Sequence, residues 1–306
     1  MRHFFHKPYR WAILFTVLLL MSNTYVLLKA FVIPEKQLAI AATKTTTSNT
    51  ATASTTDATK ESTSKATITD TSYQSDDLSI TLTTKRVEDT TVYVVDIQTN
   101  DSSHLLTALA ENSYGRNIKE TTSAIAEENQ AILAINGDFY GFRSTGFVMR
   151  NGILYRDTAN GDTDALVIDK NGDFSIINEQ TTSAKNLTTA EQILSFGPAL
   201  VEKGEVVVNQ SSEVTQSMTS NPRTAIGQIG ENHYVIIVSE GRTESSEGLS
   251  LYELAQEMQT AGATIAYNLD GGGSSTLYFN GKVVNQTVGG SQNSSEREVS
   301  DILYFK

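Results

Sequence analysis

Two short runs in this chain set carboxylates beside amides and glycines at the ends of apolar stretches. The longer is Asn268-Leu269-Asp270-Gly271-Gly272-Gly273-Ser274-Ser275-Thr276. Three successive glycines let a backbone come close to a ligand, and free amides there can form a nest for an anion. Ser274 and Ser275 add hydroxyl donors, and Asp270 supplies a carboxylate for acid, base or nucleophile work. The shorter run is Asn136-Gly137-Asp138-Phe139-Tyr140. It puts an amide and a carboxylate at a strand exit, where both can reach a ligand. Taken alone, the shorter run also reads as an Asn-Gly turn capped by Asp138, and the longer as a tight turn. A linker reading of the glycines is poor, because they sit between two apolar strands.

Arginines complete the candidate chemistry. Arg223 enters an apolar stretch directly after Pro222, in Pro222-Arg223-Thr224-Ala225-Ile226-Gly227. Arg242 follows Glu240-Gly241, and Arg297 precedes the last apolar run. A guanidinium suits bidentate binding of phosphate or carboxylate, although a lone Arg or Glu is usually a solvated surface group. Residues 73–306 carry 15 Lys and Arg against 31 Asp and Glu, a net charge of −16 within a chain of −12. Such an acidic domain binds an anion only by concentrating its few cations locally. Arg223, Arg242 and Arg297 all fall within the motif runs.

Other chemistries are excluded or left without support. With no cysteine, the chain has no disulfide framework, Cys-ligated zinc, iron–sulfur cluster or cysteine nucleophile. Of four histidines, His3 and His6 lie in the N-terminal leader. That leaves His104 and His233, in strand-like stretches away from the clusters, so neither a multi-His metal site nor a Ser-His-carboxylate triad suggests itself. The glycine run lacks the Gly-Lys-Ser/Thr of a P-loop and is not a dinucleotide fingerprint. The sequence requires no cofactor. Carboxylates could hold a divalent cation such as Ca²⁺, but no ligand-spaced motif calls for one. The acidic balance argues against nucleic-acid binding.

Strands and short helices must position these groups. Leu78–Thr83, Thr91–Gln98, Ala131–Ile135 and Ala263–Leu269 read as strands. Asn151-Gly152, Asn171-Gly172 and Asn280-Gly281 each mark a hairpin, and Thr224–Ile229 pairs with Tyr234–Val238 across Gly230–Asn232. A short helix is expected over Lys119–Asn129. The clearest helix is Leu251–Ala261, with Leu251, Leu254, Ala255, Met258 and Ala261 at helical spacing. Ser250 and Glu253 form a capping box and Gly262 ends the helix. The fold class is α+β, a mostly antiparallel mixed sheet with a few packed helices, in a single domain over residues 77–306.

Ahead of that domain the composition changes twice. Residues 1–10 are a basic leader, and residues 11–33 are mostly apolar and long enough to span a membrane. This segment reads as a signal anchor with its N-terminus inside. A signal peptide cleaved near Ala39-Ile40-Ala41 is the alternative. Residues 34–76 read as a flexible stalk, because residues 43–72 are dominated by Thr, Ser and Ala with almost nothing apolar to bury. The domain would then work outside the cytoplasm, on the cell membrane or secreted. A cysteine-free extracytoplasmic domain suits a Gram-positive bacterium.

Together, Asn136–Tyr140, Phe196-Gly197-Pro198, Pro222–Gly227, Glu240–Arg242, Asn268–Thr276 and Arg297–Leu303 resemble the phosphodiester glycosidase family. Its bacterial members are often labelled exopolysaccharide biosynthesis proteins. The resemblance covers residues 77–306 and implies hydrolysis of a sugar-1-phosphodiester at its glycosidic bond. It implies catalytic work by Asp270, aided by Glu240, Asp138 and Asn136. Phosphate would be held by Arg223, Arg242, Arg297, the Gly271, Gly272 and Gly273 amides, Ser274 and Ser275. Glu240 stands where the family often has Asp, one methylene shorter, and Asp138 falls at a variable position. A non-catalytic module that binds cell-wall phosphopolymers, and a glycosyl or phosphoglycosyl transferase, remain open beside hydrolysis.

Overall fold

Side chains of successive strand residues face opposite sides of a sheet, and this chain uses both sides. Leu133 and Ile135 belong to the main core, whereas Ala134 between them packs on a second cluster. Likewise Ile226, Tyr234, Ile236 and Val238 face the main core, while Ala225, Val235 and Ile237 face away to a third. The computed structural model describes residues 8–42, 66–208, 220–290 and 296–306.

Three sheets enclose the main core. The nine-stranded sheet runs, in spatial order, through Glu205–Val206, Ala199–Glu202, Ile265–Asn268, Arg223–Gly230, His233–Ser239, Thr90–Thr99, Leu78–Val87, Ser72–Gln74 and Thr67–Ile68. A five-stranded sheet has the order Lys282–Val283, Leu277–Phe279, Leu133–Asn136, Asp301–Phe305, Leu105–Leu109. A six-stranded sheet has the order Phe174–Asn178, Asp164–Asp169, Ala190–Leu194, Val148–Arg150, Ile153–Arg156, Ala41–Ala42. Every pairing between described strands is antiparallel. The four expected hairpins form at the expected turns.

Two helices cover the outer faces. Helix α1 is the N-terminal Pro8–Phe31; α2 is Thr122–Glu128 and α3 is Leu251–Thr260. The Ser250–Glu253 capping box starts α3, which buries Leu254, Ala255 and Met258 against the nine-stranded sheet. Helix α2 packs Ile125 and Ala126 on the five-stranded sheet. It is shorter than Lys119–Asn129 because Glu120–Thr121 pairs with Glu298–Val299 and Thr121 caps the helix. His104 ends a short 3-10 turn rather than lying in a strand; His233 opens a strand and pairs with Asp96 at 2.8 Å.

The 34–76 stretch is not a flexible stalk throughout. Residues 43–65 of it lie outside the described residues, but both flanks are paired. Glu35–Lys36 pairs with Gly115–Arg116, and Ala41–Ala42 with Ile153–Leu154. Thr67–Ile68 and Ser72–Gln74 join the nine-stranded sheet. These contacts run through the backbone, so side-chain composition carried little sign of them.

Candidate active site

The Leu133–Asn136 and Ile265–Asn268 strands belong to different sheets, yet their exits meet. Asn136 ties them together. Its Nδ2 donates to the carbonyls of Asp270 (2.7 Å) and Gly137 (3.3 Å). Its Oδ1 accepts from Thr224 Oγ1 (2.9 Å) and the Thr276 amide (3.2 Å). The side chain is fully buried and its amide is fully engaged, so Asn136 positions Asp270 and does not offer its amide to a ligand.

Asp270 is half-buried and lines a cavity of about 310 Å³ with Asp138, Ser274, Arg297, Phe139 and Phe142. Its Oδ1 accepts the Gly271 amide at 2.9 Å. Burial raises its pKa above the ordinary carboxylate value, against the Ser274 hydrogen bond, the Arg297 charge, the Gly271 amide and the Arg143 charge. The Asp270 carboxyl is therefore easier to protonate than a surface aspartate, with two cations holding it in check.

The glycine run threads between arginines. A Cβ on Gly271 would lie 3.9 Å from Arg223 Cδ, one on Gly272 3.2 Å from Arg242 Nη2, and one on Gly273 2.7 Å from Arg297 Nη2. Gly272 also adopts φ +60°, which favours glycine. Thus the three sequence-predicted arginines gather around the predicted glycines, one beside each. The expected nest of free amides does not form as predicted. Gly271 N–H bonds Asp270, and Gly272 N–H donates to Pro222 O at 2.8 Å. The first donor is taken by the neighbouring carboxylate and the second by the Pro222 segment, and the 3-10 turn Gly272–Ser274 that follows engages the Ser274 and Ser275 amides in turn.

The other predicted residues part company. Ser274 lines the cavity, while buried Ser275 is not among its lining residues. Arg223 is buried, with Nε donating to Leu249 O at 2.9 Å. Arg242 is exposed, and its Nε and Nη2 donate to Asn221 Oδ1 at 2.9 and 2.6 Å. Neither lines the cavity. Glu240 is also outside the lining and is buried. Its carboxylate accepts from Tyr93 OH (2.9 Å), Ser246 Oγ (3.1 Å) and the Gln286 amide (2.9 Å). That places Glu240 as an anchor between segments and not beside Asp270 in the cavity.

Asp138 does line the cavity, but three donors claim its carboxylate: the Tyr140 amide (3.1 Å), the Ser195 amide (2.9 Å) and Arg150 Nη2 (2.9 Å). Arg150 reaches Asp301 as well, at 2.8 Å from Nε and 2.7 Å from Nη2. All three side chains are buried. One guanidinium thus faces two carboxyls. Burial, partly offset by Arg150 and reinforced by Asp138, raises the Asp301 pKa from 3.8 to about 7.

Arg150 and Asp301 are functional candidates that the motif reading overlooked. The signal was present: each is a charged residue at one end of an otherwise apolar strand. Arg143 is another, lying 5.7 Å over the Phe139 ring and 4.8 Å over the Phe196 ring. Lys119 and Glu298, paired at 2.7 Å, add charge to the cavity lining. Among the described residues, no group of three or more His, Asp or Glu is arranged to hold a metal ion.

An antiparallel α+β domain with Asp270 and Arg297 at one cavity, beside a glycine turn, has the architecture of a phosphodiester-glycosidase domain. The family model described as phosphodiester glycosidase matches residues 129–306, and the chain belongs to that family. The uncharacterized prophage-derived protein YomE of Bacillus subtilis is 32% identical over 199 residues, covering 62% of this chain and 30% of the relative. Mouse N-acetylglucosamine-1-phosphodiester alpha-N-acetylglucosaminidase is 33% identical over 102 residues, covering 29% of this chain and 20% of the relative. The chain therefore spans under a third of either relative's length. In fold it is similar to the zebrafish N-acetylglucosamine-1-phosphodiester alpha-N-acetylglucosaminidase catalytic domain, a structure described as auto-inhibited by its pro-peptide. The TM-score is 0.61 at 20% identity, covering 74% of this chain and 82% of that one. A hypothetical protein from Synechocystis gives 0.59 at 14% identity, with 75% and 62% covered.

Proposed function

We propose that this chain is a membrane-anchored hydrolase that cleaves the glycosidic bond of a sugar-1-phosphodiester outside the cytoplasm, in exopolysaccharide or cell-wall glycopolymer metabolism. One observation carries the reading: Asp270 and Arg297 line the same cavity, with the Asp270 carboxyl buried enough to bind a proton readily. Breaking a glycosidic bond builds oxocarbenium-like charge at the anomeric carbon. A phosphomonoester leaves as a stable anion, so stabilising its charge matters more than protonating it. Arg297, in the cavity lining, provides that charge. Asp270 serves as the base: it takes a proton from water as the water oxygen bonds to C1 and the C1–O bond breaks toward phosphate. Asn136 fixes the backbone from which Asp270 acts.

The mouse relative's name makes an N-acetylglucosamine-1-phosphodiester the first compound to test. The experiment is a screen of sugar-1-phosphodiesters with the full chain in detergent or vesicles, with products read by mass spectrometry. Release of free sugar and phosphomonoester, lost in Asp270→Asn, supports the hydrolase. Binding without turnover by the wild-type chain would favour a phosphopolymer-binding module instead. Product found only on an added glycan acceptor would favour a transferase.

A further inference from the structure

From residue 66 onward, the described residues leave only Ile68 and Val207 exposed among the large hydrophobic side chains. The opposite holds around the end of α1. Phe31, Val32 and Ile33 are exposed, as are Leu38, at 92%, and Ile40. Leu38 and Ile40 lie beyond the helix, in the segment pinned to the domain at Glu35–Lys36 and Ala41–Ala42. Apolar side chains held outward in this way call for a nonaqueous neighbour. Helix α1 supplies one: 24 residues make a rod of about 36 Å, enough to cross a hydrocarbon core of about 30 Å. Lys29 and Lys36 flank its outer end, where long cationic side chains can reach headgroups.

The cavity stands beside that end. Asn117 Nδ2 donates to the carbonyls of Ala30 (3.3 Å) and Ile33 (3.2 Å). The Asn117 amide donates to Gly141 O at 3.2 Å. Gly141 lies in the Tyr140–Phe142 turn, and Phe142 lines the cavity with its ring stacked on Phe139 at 4.6 Å. Gly141 also packs on Ser300, another lining residue. Asn117 thus bridges the chain at the helix end and the turn that carries Phe142.

We propose that the cavity is held at the bilayer surface and that its substrate is a sugar phosphodiester carried on a membrane lipid, not a freely diffusing one. This builds on the hydrolase reading above. The sugar and phosphate enter toward Asp270 and Arg297, and the lipid chain passes Phe139 and Phe142 into the bilayer. Water adds its oxygen to C1, its proton goes to Asp270, and the lipid phosphomonoester leaves with the electrons of the broken C1–O bond.

The test uses the full chain in phosphatidylglycerol-containing vesicles. A chain without cysteine accepts one engineered label. Ser144→Cys places it on an exposed residue two positions past Phe142, and Asn171→Cys on the exposed hairpin at the sheet edge opposite Ala41–Ala42. Headgroup spin-labelled lipids should quench a fluorophore at position 144 several-fold more than one at 171. Equal quenching overturns the placement, whatever the enzyme does. In the same vesicles, the hexadecyl ester of N-acetylglucosamine-1-phosphate should turn over about tenfold faster than the methyl ester, through confinement to one surface. A flexible spacer of about 20 Gly and Ser residues after Ile33 should abolish that preference by freeing the domain from the surface. Equal rates in the unmodified chain overturn the lipid-borne substrate. Strong quenching at position 144 with no release from either ester overturns the hydrolase reading, and the lipid-borne substrate with it, while the cavity's place at the membrane stands.

Discussion

Asn136 Nδ2 holds the main-chain carbonyl of Asp270 at 2.7 Å, across 134 residues of sequence. The side chain of one strand exit thereby sets the backbone of the other. Asn136→Ala leaves the Asp270 carbonyl, Thr224 Oγ1 and the Thr276 amide without that partner. Each buried group so stranded costs about 1–3 kcal/mol. The expected outcome is a lowered unfolding temperature, together with a loss of turnover of about 10²-fold from a misplaced Asp270. Calorimetry and single-turnover assays check the two parts separately.

Asp270→Asn keeps the shape of the side chain and removes its base. Turnover should fall by about 10²–10⁴-fold, while the unfolding temperature stays near that of the wild type. Full activity in the variant would dismiss Asp270 as the base.

The pH dependence of kcat/KM carries a signed prediction. A base must be ionised, so the rate should rise with pH through an Asp270 pKa that burial holds above the ordinary carboxylate value. Arg297 lowers that pKa. Arg297→Ala removes the positive charge, so the acidic limb of the profile should move to higher pH. A limb that moves lower, or does not move, refutes the coupling.

Asp301 makes a prediction about stability. Its folded pKa, about 7, exceeds the reference of 3.8, so the fold prefers the neutral carboxyl. Its stabilising contribution is fully present below about pH 4 and is lost as pH rises through about 7. In Asp301→Asn the group cannot ionise. Denaturant titrations at a series of pH values should show the wild-type chain losing stability relative to this variant across that window. Parallel curves would contradict the assignment.

Gly273 is pressed from two sides. A Cβ there would lie 2.7 Å from both Arg297 Nη2 and the Gly289 backbone. Gly273→Ala should cost about 1–3 kcal/mol of stability, as overpacking does, and raise KM by displacing Arg297. Gly230→Ala, where a Cβ meets nothing within 4 Å, is the control.

The local elements were legible because their signals are local. Ser250, Glu253 and the apolar stripe defined α3 without reference to anything distant, and Asn-Gly pairs announced hairpins through the backbone conformation they permit. The arginine–glycine association could be read as well, since each partner carried its own chemical signal. What escaped depends on long-range pairing. Nothing beside Arg150 in sequence reveals that Asp138 and Asp301 share it, and Glu240 looks like a site carboxylate until Tyr93 and Ser246 are seen bonded to it. Asn136 stands out in sequence as an amide at a strand exit, but its inward orientation follows from three segments meeting in space.

The Ala41–Ala42 pairing has a consequence for the isolated domain. It occupies the outer edge of the Ile153–Arg156 strand, which otherwise would offer unpaired amides and carbonyls to any second chain. The segment that follows helix α1 is therefore also a guard against edge-to-edge aggregation. A soluble fragment begun after residue 42 would lose that protection, and its oligomeric state would report on the missing strand.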